Sequence, residues 1–87
     1  MTYDRRVAVA PPVRVEVLDT VVRLFPTRQR AIQECNLLTR STDQQYREVR
    51  TNEGGYIVHN VVTKTYKDMD GMLSPAVVSE LLKASYR

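Results

Sequence analysis

The clearest structural signal in this chain lies in residues 26–40, which read Pro-Thr-Arg-Gln-Arg-Ala-Ile-Gln-Glu-Cys-Asn-Leu-Leu-Thr-Arg. Thr27 is placed to cap a helix, because its hydroxyl can accept a hydrogen bond from a first-turn amide that has no helical partner. At about 100° per residue, one side of this helix is mainly apolar. That side carries Ala31, Ile32, Cys35, Leu38 and Thr39. The pattern predicts a helix that packs on a core through these residues.

The opposite side of the same helix is a polar surface with a leucine in its middle. It carries Gln29, Arg30, Gln33, Leu37 and Arg40. Arginines and single apolar anchors are typical energetic centres of protein interfaces. With the neighbouring arginines added, the candidate partner-binding residues are Arg28, Gln29, Arg30, Gln33, Leu37, Arg40, Arg47 and Arg50.

Strand patterns flank the helix. Residues 13–18 alternate between apolar and charged, and residues 21–25 are again β-rich, so they form either a hairpin or one bent strand. After the helix, residues 41–43 are expected to form a loop. Residues 45–50 and 56–65 are strand candidates, and Asn52-Glu53-Gly54-Gly55 between them favours a hairpin turn.

A second helix is predicted from Ser74-Pro75, with Ser74 as the cap and Pro75 at the first helical position. The predicted fold class is therefore α+β, in the order β-(β)-α-β-β-α. We expect an antiparallel sheet of three to four strands with both helices on one face. Residues 1–12, which end at Pro11-Pro12, are interpreted as an extended arm, and residues 13–87 as a single domain.

The charge of the chain is unevenly distributed. The net charge is +3, and residues 1–50 contain nine Arg, six acidic residues and no Lys. Arg presents a rigid planar fork that suits carboxylate or phosphate groups, whereas Lys is a flexible point charge. The Arg-rich half is therefore a candidate contact surface, and the alternative is codon or lineage bias on a solvated face.

Catalytic and cofactor chemistry find no support in the sequence. His59 is the only histidine, and catalytic acid–base work would need partners that this chain lacks. With Cys35 as the only cysteine, one Cys and one His are too few for a zinc site. Gly54-Gly55 lacks the lysine and spacing of a phosphate-binding loop. We predict a non-enzymatic protein with no catalytic residues, no metal, no cofactor and no small-molecule substrate.

The sequence also predicts no targeting signal. The apolar runs are interrupted by charged residues or prolines, so we expect neither a signal peptide nor a membrane partner. A lone cysteine suits a reducing compartment. The expected location is the cytoplasm, which would be that of the host cell if the protein is phage-encoded.

Nucleic acid is the alternative partner. The helix–hairpin–helix order is loosely similar to a double-stranded-RNA-binding domain, a family that has three strands after its first helix and a basic cluster opening its last helix. Here the last helix opens Ser-Pro-Ala-Val, without a basic residue, and only two strands are predicted before it. Non-specific contacts of arginines with phosphates are still possible, as in a transcription-accessory protein.

The strand, Pro-Thr break and Arg-rich helix of residues 21–40, followed by the hairpin of residues 46–65, resemble small inhibitors encoded by phages and mobile elements, anti-CRISPR proteins included. The resemblance implies a binding protein that docks on a host protein or ribonucleoprotein complex and blocks it. Its Arg side chains would then face acidic or phosphate groups. A structural or chaperone-like phage component is a third interpretation, and it would self-associate.

Overall fold

Seven helices and strands organise residues 10–83, the part of the chain that a computed structural model describes. Residues 1–9 and 84–87 lie outside that part, so most of the predicted arm is not described. The elements are β1 (Val13–Val17), β2 (Thr20–Leu24), α1 (Arg28–Thr42), β3 (Tyr46–Arg50), β4 (Tyr56–Asn60), β5 (Thr65–Lys67) and α2 (Pro75–Leu81). The strands form an antiparallel pair, β1-β2, and an antiparallel trio, β3-β4-β5. The predicted α+β class is confirmed.

The sequence predicted either a hairpin or one bent strand before α1, and the structure shows a hairpin of β1 and β2. Val13 pairs with Leu24 and Val17 with Thr20, which leaves a two-residue turn. The turn residues Leu18 and Asp19 have φ angles of 51° and 63°. Positive φ at both central positions is the requirement of a type I′ turn, whose twist matches that of the flanking strands.

The helix α1 begins as predicted and ends later. The Thr27 hydroxyl accepts a hydrogen bond from the amide of Arg30 at 3.0 Å. The prediction of a loop over residues 41–43 is wrong for residues 41 and 42, because the helix continues to Thr42. The Thr42 hydroxyl donates to the Leu38 carbonyl at 2.7 Å, and Asp43 then ends the helix in a left-handed conformation.

The predicted long strand at residues 56–65 is two strands, β4 and β5. Asn60 causes the break, because its side-chain oxygen accepts hydrogen bonds from the amides of Val62 and Thr63 at 3.0 and 3.1 Å. Lys64 then reverses the chain with a φ of 64°. The order is therefore ββαβββα, and three strands follow α1.

The two helices cover opposite faces of β4, so the prediction that both lie on one face is wrong. Ile57 belongs to the α2 core, which we define as Val22, Leu24, Ile57, Val77 and Leu81. Val58 belongs to the α1 core, defined as Phe25, Ala31, Cys35 and Val58. Consecutive strand residues point to opposite faces, and both Ile57 and Val58 are fully buried. β4 is thus the central layer between the two helices.

The two sheets are joined where β2 ends. The Phe25 and Tyr56 amides each donate to the other residue's carbonyl at 2.9 Å. Nearby, the amide of Met69 donates to the Arg23 carbonyl, also at 2.9 Å. These bonds hold the hairpin against β4 and against the segment after β5.

The helix α2 starts as predicted. The Ser74 hydroxyl accepts a hydrogen bond from the Val77 amide at 3.3 Å, and Pro75 occupies the first turn. Because the apolar side of the helix is buried against the α2 core, the helix is held by packing as well as by its cap.

Candidate protein-binding surface

Four of the eight predicted partner-binding residues share one continuous surface. Gln29, Gln33, Leu37 and Arg40 are all exposed on the side of α1 that faces away from the sheet. Leu37 is 55% exposed. Asn36 is exposed beside them, and helical spacing alone would have placed it there. We call these five residues the α1 outer face.

Arg28 lies at the edge of this surface and is partly engaged. Its guanidinium pairs with the Glu48 carboxylate of β3 at 3.0 Å, while 66% of its side chain remains exposed. An exposed ion pair of this kind contributes about 0–1 kcal/mol to stability. Arg28 therefore keeps most of its capacity to contact a partner.

Arg30 is more strongly committed to the fold. Its guanidinium lies 5.6 Å from the centre of the Phe25 ring and 3.8 Å from Glu34. The Lys67 ammonium lies on the same ring at 5.8 Å and pairs with Glu34 at 3.7 Å. These four side chains form a flank between α1 and β5, and 41% of the Arg30 side chain remains exposed there.

Arg47 and Arg50 do not join the α1 outer face. Arg47 pairs with His59 in the sheet register, and its side chain points to the face opposite α1. Arg50 shares the face of Glu48 but lies at the end of β3. Within residues 10–83, neither of them forms an ion pair, and nor does Arg40.

The α1 outer face contains no acidic side chain. The one acidic residue within α1 is Glu34, which lies on the flank with Arg30 and Lys67. A surface of amides, Arg40 and one exposed leucine is therefore complementary to a partner that supplies carboxylates around an apolar pocket.

The core side of α1 agrees with the prediction at three positions. Ala31 and Cys35 are buried, and Leu38 packs partly buried against the α1 core. Thr39 is exposed and Ile32 only half-buried, and neither belongs to the α1 core. The predicted core side of α1 therefore includes two residues, Ile32 and Thr39, that lie outside the α1 core.

Neither lone nucleophile is in a reactive setting. Burial, with smaller contributions from the charges of Glu48 and Glu34, raises the pKa of Cys35 to about 11. The pKa of His59 is lowered by burial and by the nearby charges of Arg47 and Lys64. His59 stacks on Tyr66 with ring centres 4.2 Å apart.

Within residues 10–83, no group of three or more His, Cys, Asp or Glu side chains is arranged to hold a metal ion. Neither described helix is long and apolar enough to cross a membrane.

Sequence reasoning missed several exposed apolar side chains because single residues in strands and turns carry no periodic signal. Leu18, Val21, Val62 and Met72 are all exposed. Met72 borders a groove of about 460 Å³ between β5 and α2. Of the five exposed large apolar residues described, Leu37 is the one on a helix.

Comparison with protein-family models, with curated proteins and with solved structures finds no match to this chain.

Proposed function

We propose that this protein is a small non-catalytic binding protein that docks on a host protein or ribonucleoprotein complex and blocks it. The observation that carries the proposal is the α1 outer face: Leu37 is 55% exposed on a helical surface without an acidic side chain. The inhibitor role, of the anti-CRISPR type, rests on the resemblance of residues 21–40 and 46–65.

The packing of α1 supports binding through this face. Phe25, Ala31 and Cys35 hold the helix from below and are almost fully buried, so little order has to be gained on docking. A preformed surface loses less conformational entropy on association than a flexible one. The side chains of Gln29, Gln33 and Arg40 supply donors for a polar rim around Leu37.

Nucleic acid alone is the competing partner. Three strands follow α1, as in a double-stranded-RNA-binding domain, although the sequence predicted only two. The basic cluster of that family is still missing, because α2 opens without Lys or Arg. Arg40, Arg47 and Arg50 lie on different surfaces of the fold, whereas a phosphate backbone is followed by cations that share one groove or stripe. This distribution favours a protein surface as the main contact.

The proposal is tested by capture from a bacterial lysate, with and without nuclease, using the wild-type chain and two double variants. Leu37→Ala with Arg40→Glu alters the α1 outer face. Leu18→Ala with Arg14→Glu makes the same two replacements at exposed positions of the β1-β2 hairpin and serves as the matched control. Circular dichroism should show the same fold for all three proteins.

We expect a defined host assembly to be recovered by the wild type and by the hairpin control, and lost with the α1 variant. Recovery of nucleic acid alone would contradict the proposal, as would equal recovery by both variants. Arg30 is left unchanged because its contact with Phe25 couples it to the fold.

The inhibitor role has a separate test. Expression of the wild-type chain in bacteria that carry an active RNA-guided defence complex should restore plaque formation by a targeted phage. The α1 variant should not restore it. Normal defence in the presence of the wild-type chain, across the defence types tried, would leave a binding protein without this inhibitor role.

A further inference from the structure

A groove of about 460 Å³ lies between β5 and the first turns of α2. Tyr66, Leu73 and Val78 line it together with Lys64, Met72 and Pro75. Tyr66 and Leu73 pack against the α2 core, so the groove is on the face of the sheet opposite α1. It is therefore separate from the α1 outer face.

The floor of the groove is apolar and its wall is fixed. Val78 is 9% exposed, and the amide of Leu73 donates to the Tyr66 carbonyl at 2.9 Å. The Tyr66 ring stacks on His59 with an angle of 11° between the ring planes. The groove is thus preformed, as binding sites for apolar groups commonly are.

The charge at the groove is positive. Lys64 lines one end and, within residues 10–83, forms no ion pair. Arg47 lies beyond His59 in the same row of the sheet, and the charges of Arg47 and Lys64 both lower the pKa of His59. No acidic side chain lines the groove. An apolar group with an adjacent negative charge is the complementary ligand.

The shape of the groove decides between a free small molecule and a polypeptide. Met72 is 69% exposed, and Pro75 and Ser79 are exposed along the same rim. A pocket for a free ligand usually encloses most of the ligand surface, which this open groove does not allow. A side chain presented by a partner polypeptide needs less enclosure because the rest of the partner supplies further contact.

We propose that this groove is a second docking site, which takes an aromatic or branched aliphatic side chain of a partner polypeptide while an adjacent carboxylate of the partner pairs with Lys64. The site goes beyond the binding through α1, because the two surfaces lie on opposite faces of the sheet. Both can be occupied at once.

The probes for the test are two capped dipeptides, acetyl-Phe-Asp-amide and acetyl-Phe-Asn-amide, titrated into the ¹⁵N-labelled full chain. Amide shifts should concentrate at residues 64–66 and 72–79 with the Asp peptide. The Asn peptide should bind about threefold more weakly, the size expected for one exposed ion pair.

The variant Lys64→Asn removes the cation and keeps the backbone, because Asn tolerates the φ of 64° found there. It should bring the affinity for the Asp peptide down to that for the Asn peptide. Lys83→Asn is the matched control, since Lys83 pairs with Glu80 beyond the groove and should leave both affinities unchanged. Met72→Glu should weaken the Asp peptide further by placing a like charge at the rim.

Equal affinity for the two peptides, or shifts confined to the α1 outer face, would overturn the proposal. So would adenosine monophosphate shifting residues 64–66 when the Asp peptide does not, because the ligand would then be a nucleotide. Shifts at the groove that depend on protein concentration alone would identify a second copy of this chain as the occupant. None of these outcomes contradicts binding of a partner through the α1 outer face, so the two proposals fail independently.

Discussion

Gly55 shows at the scale of a single residue why β2 and β4 can approach each other. A Cβ atom at Gly55 would lie 2.6 Å from the Leu24 Cβ and 3.2 Å from the Phe25 carbonyl oxygen. Leu24 and Phe25 lie at the junction of the two sheets, so neither residue can move away from an added Cβ atom without disturbing that junction. Gly55 is needed here for its lack of a side chain.

Replacement of Gly55 by Ala should therefore destabilise the protein by about 2–3 kcal/mol, as overpacking of a tight contact does. Urea denaturation measures the change. Gly71→Ala is the control, because no atom lies within 4 Å of the added methyl group, and its effect should stay below about 1 kcal/mol. Equal effects of the two replacements would show that the junction tolerates a methyl group.

Cys35 is a core residue, and its thiol should not react in the folded protein. Its pKa is raised from 9.0 to about 11, and thiolate is the reactive form. Ellman's reagent at pH 8 should label the urea-unfolded chain and leave the native chain unlabelled over the same time. Rapid labelling of the native chain would contradict the burial of Cys35.

The same shift makes stability depend on pH in a defined window. Between pH 9 and about 11 the unfolded chain has lost the Cys35 proton and the folded chain still holds it. The unfolded state then binds fewer protons, so the free energy of unfolding falls as the pH rises through this window. A Cys35→Ala variant should show a shallower fall.

At the scale of elements, the turn between β1 and β2 holds an unfavourable residue. Leu18 has a φ of 51° and is 58% exposed. A left-handed conformation costs an ordinary residue about 1–2 kcal/mol, whereas Asn adopts it readily. Leu18→Asn should therefore raise Tm by about 4–8 °C, which corresponds to about 1 kcal/mol in a domain of this size.

Asp19→Asn is the control for that turn, because Asp already tolerates the left-handed region, and its Tm should change little. A lower Tm for Leu18→Asn would mean that the apolar contacts of Leu18 outweigh its backbone conformation. Differential scanning calorimetry distinguishes the two results.

Asp68 fixes the segment after β5 to β2. It is 3% exposed, and its carboxylate accepts hydrogen bonds from the amides of Arg23, Asp70 and Gly71 at 2.8–2.9 Å. Asp68→Ala should destabilise the protein by about 3 kcal/mol, because three amides lose a charged acceptor.

The neighbouring Asp70 provides the comparison for Asp68. Its carboxylate pairs with Arg23 at 2.8 Å, but both side chains are about half exposed. Loss of an exposed ion pair changes stability by about 1 kcal/mol or less, so Asp70→Ala should be mild. Thermal denaturation in which Asp70→Ala is the more harmful replacement would show that the buried network contributes less than its geometry indicates.

The sequence predicted those elements whose signals are local. Thr27 and Ser74 cap helices because their hydroxyls accept amides three residues on, and that signal needs no tertiary structure. The turn at residues 61–64 escaped prediction because Val61-Val62-Thr63-Lys64 contains no glycine or proline. A single side chain, Asn60, makes that turn by hydrogen bonds that only the folded chain displays.

The placement of the helices was predictable in part. Ile57 and Val58 are consecutive apolar residues, a pattern typical of a strand buried on both faces. The pattern indicates that both faces of β4 need a cover, and α1 and α2 supply one each. Which helix takes which face depends on how the β1-β2 hairpin joins β4 through Phe25 and Tyr56, and no local pattern reports that long-range pairing.

The predicted partner-binding residues share one surface only where they follow the repeat of a helix. Gln29, Gln33, Leu37 and Arg40 share a face because they follow one helix repeat. Arg47 was grouped with them by composition alone, and the alternation of β3 turns its side chain to the other face. Charge can be counted from a sequence, but its grouping on a surface depends on the fold.

At the scale of the whole molecule, the fold presents two independent surfaces on either side of β4. The α1 outer face offers exposed Leu37 on a helical surface without an acidic side chain, and the opposite face offers the groove beside Tyr66. A small protein with two surfaces can bridge two parts of a large assembly, and that would strengthen binding without enlarging either contact.

The affinity of the α1 outer face for the captured partner tests the central claim most directly. Isothermal titration calorimetry should give a Kd at least about 30-fold weaker for Leu37→Ala with Arg40→Glu, because loss of an interface hot spot costs about 2 kcal/mol or more. Leu18→Ala with Arg14→Glu should stay within about twofold of the wild type, as substitutions outside an interface do. An unchanged Kd for the α1 variant, with its fold intact, would show that the partner binds elsewhere and would contradict the account.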